Sequence, residues 1–484
     1  MATILRPDPM PAVGASPSTA DVDQPASRSG GSLAGLTGLV VTLAGLLIGL
    51  QRIDDNSFFT HLATGRLILD SGVPTMDPYS FTAAGEPWTV QSWLASLIYA
   101  VVDDLAGLGG VRIVMALTTA LLAYLLWRLT EPAGAVVVRA ALVVPVLLIG
   151  TERWAERPML FGFVGLAALY VLANGAGSPW VAAPILWVWV NTHGSFPMGF
   201  VLLGALVVGR WLDRESARRE LQVSAWAGLG LLLGALNPIG PKLLVFPIEL
   251  LGKSEALRYV NEWQPPDYAD LAPKLLVLMA GLALLALLAR HRRFRALLPL
   301  VVFTGLALTS ARNVAPAGII VLAAVAPALA GLGHDLGRER RPIFRTAAIV
   351  ACVLTGLLAF GTLRGPQTDL AAYPTDALDW MEANGLLGPD SRIISRDYVA
   401  NYLELEYDDV PVFMDDRYDM FPSEVFADYL VLFHGEPEWE AVAERWDADG
   451  ILWDTGSPLA EELVDSTTWR VAYEDDRWVL VVPR

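Results

Sequence analysis

The chain has 484 residues, 54% of them apolar and only 18% charged, with a mean hydropathy of +0.45. That balance is too apolar for a water-soluble protein and makes the bilayer the solvent for much of the chain. The single cysteine, Cys352, excludes an intrachain disulfide and a thiolate metal cluster, and a formal charge of −17 speaks against nucleic acid as a partner.

Residues 1–32 are rich in Pro, Ser, Gly and Ala without an apolar period, which predicts a disordered tail. Ser32 to Leu50 is then an apolar run, about 28 Å long as a helix, close to the ~30 Å of a bilayer core. It lacks a small-residue cleavage site and reads as a retained span. Further apolar runs at 111–128, 134–150, 159–174, 179–192, 196–212, 221–236, 272–289, 296–310, 314–333 and 346–363 bring the expected number of spans to eleven.

The segment 92–110, "SWLASLIYAVVDDLAGLGG", is the exception. Asp103 and Asp104 would each cost about 2.5–3.5 kcal/mol near mid-bilayer, more than its apolar residues return. It is therefore expected to lie in the interface as an amphipathic helix, with Trp93, Leu94, Ile98 and Tyr99 towards lipid. With eleven spans and a cytoplasmic N-terminus, three arginine clusters all fall inside: Arg210/Arg214/Arg218/Arg219, Arg290/Arg292/Arg293/Arg295 and Arg338/Arg340/Arg341/Arg345. A twelfth span would break that agreement.

Residues 365–484 form the last expected unit. From 366 onwards they hold 28 of the 51 acidic residues and 7 of the 34 basic ones, most simply a solvated acidic surface. Helices are predicted at "TDALDWMEANG", "SEVFADYLVLF", "PEWEAVAERW" and "SPLAEELVD", and strands at "RIISR", "VPVFMDD", "GILWD", "WRVAYEDD" and "WVLVVPR", the last two as an antiparallel pair. No Gly-rich phosphate loop opens any of these helices.

This topology sorts the polar residues by membrane side. The outer face collects Asp54, Asp55, His61, Arg66 and Asp77 in the first loop (52–110), and Glu152, Arg153, Glu156 and Arg157 in "TERWAERP". Asn191 and His193 follow in "NTHGSF", Asn237 in "NPIG", Glu262 and Trp263 in "NEWQPPD", and Arg312 and Asn313 in "SARN". Each has a plain structural reading. Acid pairs often begin solvated loops, His61 packs an interfacial helix more readily than it ligates a metal, "TERWAERP" can pair its own charges, and "NPIG" is a turn. His193, between apolar runs, is the one ionisable group placed where function is the default reading. The signal is the convergence on one face.

The stretch "DDNSFFTHLATGRLILDSGVPTMDPYSFTAAGEPWTVQSWLA" resembles the first extracytoplasmic loop of GT-C membrane glycosyltransferases, the superfamily of protein O-mannosyltransferases, aminoarabinose transferases and oligosaccharyltransferase catalytic subunits. The chain looks more like a group of bacterial GT-C-like membrane proteins. These share "HLATG", "G-x-x-P-x-x-D-P-x-S", "W-x-x-x-x-W-L", "RP", "N-x-H-G", "N-P-x-G", "E-W" and "A-R-N" in this order, with "VFMDDRYDMF" similar to a segment of their C-terminal module. The resemblance implies a polytopic α-helical membrane protein of GT-C-like fold with about eleven spans and an extracytoplasmic C-terminal α/β domain, in a bacterial plasma membrane. It implies a first loop with two interfacial helices and a catalytic aspartate, by position Asp55 or Asp54. Relatives often carry D-x-D before the histidine; here Ser57 stands in place of the second acid, so a two-carboxylate or metal-holding loop, and with it any divalent cation, stays open.

The reaction so implied transfers a sugar from a polyprenyl-phosphate donor to an acceptor hydroxyl on a glycan, lipid or protein, with inversion. Arg157 and Arg312, with Arg153 behind them, would hold the leaving phosphate by charge-assisted hydrogen bonds. Asp55, then Asp54, would take the acceptor proton, and Glu152 or Glu156 would orient the acceptor or raise the pKa of the base. His61, Asp77, Asn191, His193, Glu262, Trp263 and Asn313 complete the expected substrate site. The competing readings are a transporter or flippase of lipid-linked glycans, which needs a continuous polar path, and a non-catalytic envelope-assembly factor. The enzyme reading requires Asp55 within about 12 Å of the Glu152/Arg157 loop or of a lateral groove.

Overall fold

The computed structural model describes residues 31–154, 156–252, 260–290, 293–333 and 340–484. The expected tail falls outside the described residues up to residue 30, as do Arg292 and Arg338. Helix α1 (Leu33–Ile48) starts where the Ser32 hydroxyl accepts the Gly35 N–H at 3.0 Å. Two short strands, β1 (Gly31–Ser32) and β2 (Arg340–Arg341), pair antiparallel and set α1 beside α13 (Pro342–Leu363). The α13 flank is almost wholly exposed and apolar, as a lipid-facing helix should be.

After α1 the chain turns into α2 (Asn56–Ser71), which packs against α3 (Trp93–Leu129) with Phe58 on Tyr99, while the buried Phe59 meets Tyr373 and Tyr402 from the C-terminal part of the chain. α3 is broken at Gly107, whose φ of 65° and ψ of −175° are accessible to glycine alone. Its first half, up to this break, packs on α2. The expectation that Trp93 and Tyr99 face lipid is corrected: both are buried. The Trp93 indole N–H donates to Asn191 Oδ1 at 2.9 Å, and Tyr99 stacks on Phe58 and His61. A buried indole needs an acceptor, and the side-chain amide of α6 supplies it.

The remaining helices are α4 (Val136–Arg153), α5 (Met159–Ala173), α6 (Ala182–Thr192), α7 (Pro197–Leu212), α8 (Arg218–Gly234), α9 (Lys242–Gly252), α10 (Leu271–Arg290), α11 (Phe294–Thr309) and α12 (Val314–Val325). By length and composition, four stretches among the described residues are long and apolar enough to cross a membrane: Trp93–Ala133, Leu271–Arg290, Ala311–Leu329 and Pro342–Leu363. α1, α5, α7 and α11 are apolar but shorter. The sequence gives no hint of α9, which follows the "NPIG" turn that Asn237 closes by accepting the Ile239 and Gly240 N–H groups at 2.7 Å.

The two ends of the bundle differ in character. At one, two arginine clusters are knitted into acids: Glu220 is shared by Arg210 and Arg295, Glu215 takes Arg210 and Arg293, and Asp213 caps α11. At the other, Arg153 pairs with Asp270 at 3.7 Å, and the Ser310 hydroxyl and Ala311 N–H reach the Glu262 and Gln264 carbonyls. Ile53 exchanges backbone hydrogen bonds with the Gln367–Asp369 segment. Arg112 donates to the Leu50 and Gln51 carbonyls and to Gln367, tying α1, α3 and the start of the C-terminal module together at this end.

The C-terminal module is a four-stranded sheet in the order β3-β4-β6-β5, with β3 (Ile393–Ser395) parallel to β4 (Gly450–Asp454) and β6 (Trp478–Pro483) antiparallel to β4 and β5 (Trp469–Glu474). Helices α14 (Thr375–Ala383), α15 (Asp397–Glu406), α16 (Ser423–His434), α17 (Trp439–Arg445) and α18 (Pro458–Asp465) surround it. The predicted strand at "VPVFMDD" is not one. Val412 makes a single bridge to Ile393 on one side and to Ser80 of the first loop on the other. The Val412 N–H donates to the Tyr79 carbonyl and its carbonyl accepts the Phe81 N–H. The segment is spent on joining the sheet to the first loop, and α15, which the sequence reading passed over, packs against α2.

Candidate functional site

Asp55 ends the turn after α1 and caps α2: its Oδ1 accepts the Ser57 N–H at 3.0 Å. Its Oδ2 is paired with Arg157 Nε. Arg157 lies in the turn between α4 and α5, just before the Pro158 that starts α5, and its Nη1 pairs with Glu262 in the 3-10 turn Asn261–Trp263. One guanidinium thus joins three segments of the chain.

Arg312 sits in a second 3-10 turn, Ala311–Asn313, ahead of α12. Its guanidinium stacks over the Trp263 ring at 4.4 Å. Among the described residues it has no ion-pair or hydrogen-bond partner. A cation stacked on an indole with no counter-ion is the electrostatic complement of a missing anion.

These groups open on a cavity of about 160 Å³. Ser57, His61 and Thr64 line it from one face of α2, as spacings of three and four on a helix require. His193, in the turn after α6, and Gln91 line it from the side, and Gln91 fixes that turn by accepting the Gly194 N–H. His61 meets Ser96 Oγ at 3.1 Å; burial, helped by Arg157, pushes it down to about 4. His193 is likewise held well below its usual value by burial, Arg312, His61 and Arg157. Both imidazoles are neutral near pH 7, so the positive charge of the cavity is carried by guanidinium groups.

The opposite wall comes from the C-terminal module. Asp416 accepts from the Ser57 hydroxyl at 2.5 Å and Asn56 Nδ2 at 3.0 Å through Oδ2, and from Asn401 Nδ2 at 2.7 Å through Oδ1. Burial pushes its carboxyl up to about 6, against the pull of the Ser57 hydroxyl and with Asp415 adding to the rise. Arg417 beside it is buried between Asp77 (2.7 Å) and Asp415 (2.5 Å), lies over Trp88 at 4.4 Å, and leaves Nη1 without a partner. Glu404 is 3.9 Å away and accepts from Thr60. Burial, with Asp415 next, raises the Glu404 carboxyl well above its ordinary value.

Of the residues expected from sequence, His61, Arg157, His193, Glu262 and Arg312 line the cavity. Asp55 and Trp263 stand directly behind Arg157 and Arg312. Asp54 is exposed beside Asp55, and Glu152 is exposed and accepts the Ala272 N–H. Arg153 is taken by Asp270, and Glu156 is buried with Oε2 unpartnered. Asp77 holds Arg417 and its own turn through Ser80, Asn191 holds Trp93, and Asn313 donates to the Leu306 carbonyl at 3.1 Å. Arg66 pairs with Asp103 on the surface. Sequence reasoning missed Ser57, Gln91, Asp416 and Arg417. "VFMDDRYDMF" was the available signal for the last two, although nothing in it says which membrane-domain group it meets.

The donor set does not fit a divalent cation. Among the described residues no three His, Cys, Asp or Glu side chains are placed to hold one metal ion together, and Asp55 is already paired with Arg157.

No protein-family model matches the chain, and no curated protein sequence is similar to it. Among solved structures, an archaeal oligosaccharyltransferase, AglB from Archaeoglobus fulgidus, in complex with an inhibitory peptide and a dolichol-phosphate, aligns with 86% of this chain and 69% of its own. The TM-score is 0.49 and the identity 12%. The apolar helices make the chain a membrane protein.

Proposed function

We propose that the chain is a GT-C-type glycosyltransferase that takes a sugar from a polyprenyl-phosphate donor at the extracytoplasmic face and passes it, with inversion, to an acceptor hydroxyl. One observation carries this reading: Arg312, a stacked guanidinium without a counter-ion, faces a polar cavity beside Arg157. A phosphate held there would supply the missing negative charge and take planar, paired hydrogen bonds. In this reading Asp55 and Glu262 fix the orientation of Arg157, and the neutral His61 and His193 offer hydrogen bonds to a sugar without competing for the phosphate. The arginine clusters at the opposite end support a cytoplasmic N-terminus and an outer C-terminal module, and the eleven-span topology goes with that placement.

Binding of farnesyl phosphate, a short polyprenyl phosphate, to the purified full-length protein in detergent tests this. The wild type should bind it more tightly than farnesol, and Arg312→Ala should bind about 10- to 100-fold more weakly, the loss of about 1.5–3 kcal/mol from a charged hydrogen bond. Equal binding by Arg312→Ala and wild type would sink the reading.

A further inference from the structure

A cavity that holds a leaving phosphate also needs a group that accepts the proton of the attacking hydroxyl. Three carboxylates line this one: Glu262, Asp416 and Asp419. Glu262 is directly ion-paired with Arg157, which engages its carboxylate. Asp55 does not line the cavity, and each of its oxygens is engaged, one by the α2 cap and one by Arg157. Asp416 accepts three hydrogen bonds, all from neutral donors, two from the start of α2 and one from α15. Three hydrogen bonds leave a carboxylate one acceptor direction free.

We infer that Asp416, contributed by the C-terminal module, is the general base of the transfer, and not a carboxylate of the first loop; the inference rests on the donor-phosphate reading above. As the acceptor oxygen forms its bond to the anomeric carbon, the bond from that carbon to the phosphate oxygen breaks. The electron pair leaves with the phosphate, held by Arg312 and Arg157. The acceptor proton moves to the Asp416 carboxylate and from there to water. The surroundings suit this task. Burial, and after it Asp415 on the same segment, hold the carboxyl up, while Ser57, Asn401 and the more distant Arg157 keep it from rising further. Tyr373 and Tyr418, two titratable groups that feel Asp416, stay protonated because burial raises both, and His61, Glu262, Asp419 and Arg417 share the cavity lining with it.

The test replaces the chromosomal gene with wild type, Asp416→Asn, Asp416→Glu, Asp419→Asn, Asp55→Asn, Ser57→Ala or Arg312→Ala. Mass spectrometry then measures the pool of polyprenyl-linked sugars, and farnesyl phosphate binding is measured on each purified protein. Asp416→Asn should bind farnesyl phosphate as wild type does and yet lose transfer by about 10²- to 10⁴-fold, the contribution of a general base. Asp416→Glu should restore part of it. In membranes, the acid limb of the rate against pH should fall near the Asp416 value, about 6. Ser57→Ala removes a donor that stabilises the charged form and should move that limb to higher pH, which a purely structural role would not do. Full transfer by Asp416→Asn, or loss confined to Asp55→Asn or Asp419→Asn, with Arg312→Ala inactive, overturns the assignment and leaves the donor reading standing. A lipid-linked pool unchanged by every variant, Arg312→Ala included, overturns both.

Discussion

Glu156 is buried against the first loop with Oε2 unpartnered, and its carboxyl is pushed up to about 8 by burial, with Asp55 and Asp54 adding to the rise. The folded chain therefore holds a proton there that the unfolded chain gives up near its ordinary value of 4.5. Where the native state binds more protons, stability falls as pH rises. Unfolding in detergent followed from pH 5 to pH 9 should show this decline, levelling above pH 8, and Glu156→Gln should flatten it. An unchanged slope in the variant would place the titration elsewhere. At this scale the sequence was informative about cations and poor about acids. Arg157 and Arg312 are picked out by the "RP" and "A-R-N" motifs of the resemblance. Asp55 and Asp416 each look like one more solvated acid until Ser57 is seen to touch the second, 359 positions away.

Among the elements, the "HLATG" glycine has a physical explanation. A Cβ on Gly65 would overlap the Ser96 carbonyl and crowd Ala100, so α2 and the first half of α3 approach at this residue as only glycine permits. Gly65→Ala should force the helices apart at a cost of about 1–3 kcal/mol, the usual cost of overpacking. It should lower the melting temperature in detergent and also weaken farnesyl phosphate binding through the displaced His61. A melting temperature equal to wild type would show that the contact yields. Most of the helices and the paired strands β5 and β6 follow from apolar period and turn residues. "VPVFMDD" did not, because its alternation fits a strand while its backbone partners are divided between Ile393 and the first loop. The Gly107 break was unreadable for a simpler reason: glycine alone does not say whether a helix stops, bends or continues.

For the whole molecule, Arg417 is the residue on which the docking of the C-terminal module depends. It is the shared partner of Asp77 in the first loop and of Asp415 and nearby Glu404 in the module, all of them buried. Arg417→Met keeps the volume and leaves those acids without a cation, which costs about 3–5 kcal/mol in buried pairs of this kind. Limited proteolysis should then release the module from the membrane domain far faster than in wild type, and an undiminished protection would show that the backbone bridges at Val412 hold it unaided. The division of charge between the two ends was legible from arginine counting alone. The contact between module and loop was not, since neither side carries a pattern that names the other.

The hydrogen bond from Ser57 to Asp416 also sets a timetable. At ~5–20 residues per second of synthesis, roughly 20–70 s separate the appearance of its two ends. Arg157 and Arg312 are both made within that interval, before the carboxylate that lies across the cavity from them. The two halves of the cavity come together only when the last quarter of the chain has been made and docked, so an incomplete chain carries Arg157 and Arg312 and none of the acid from the module.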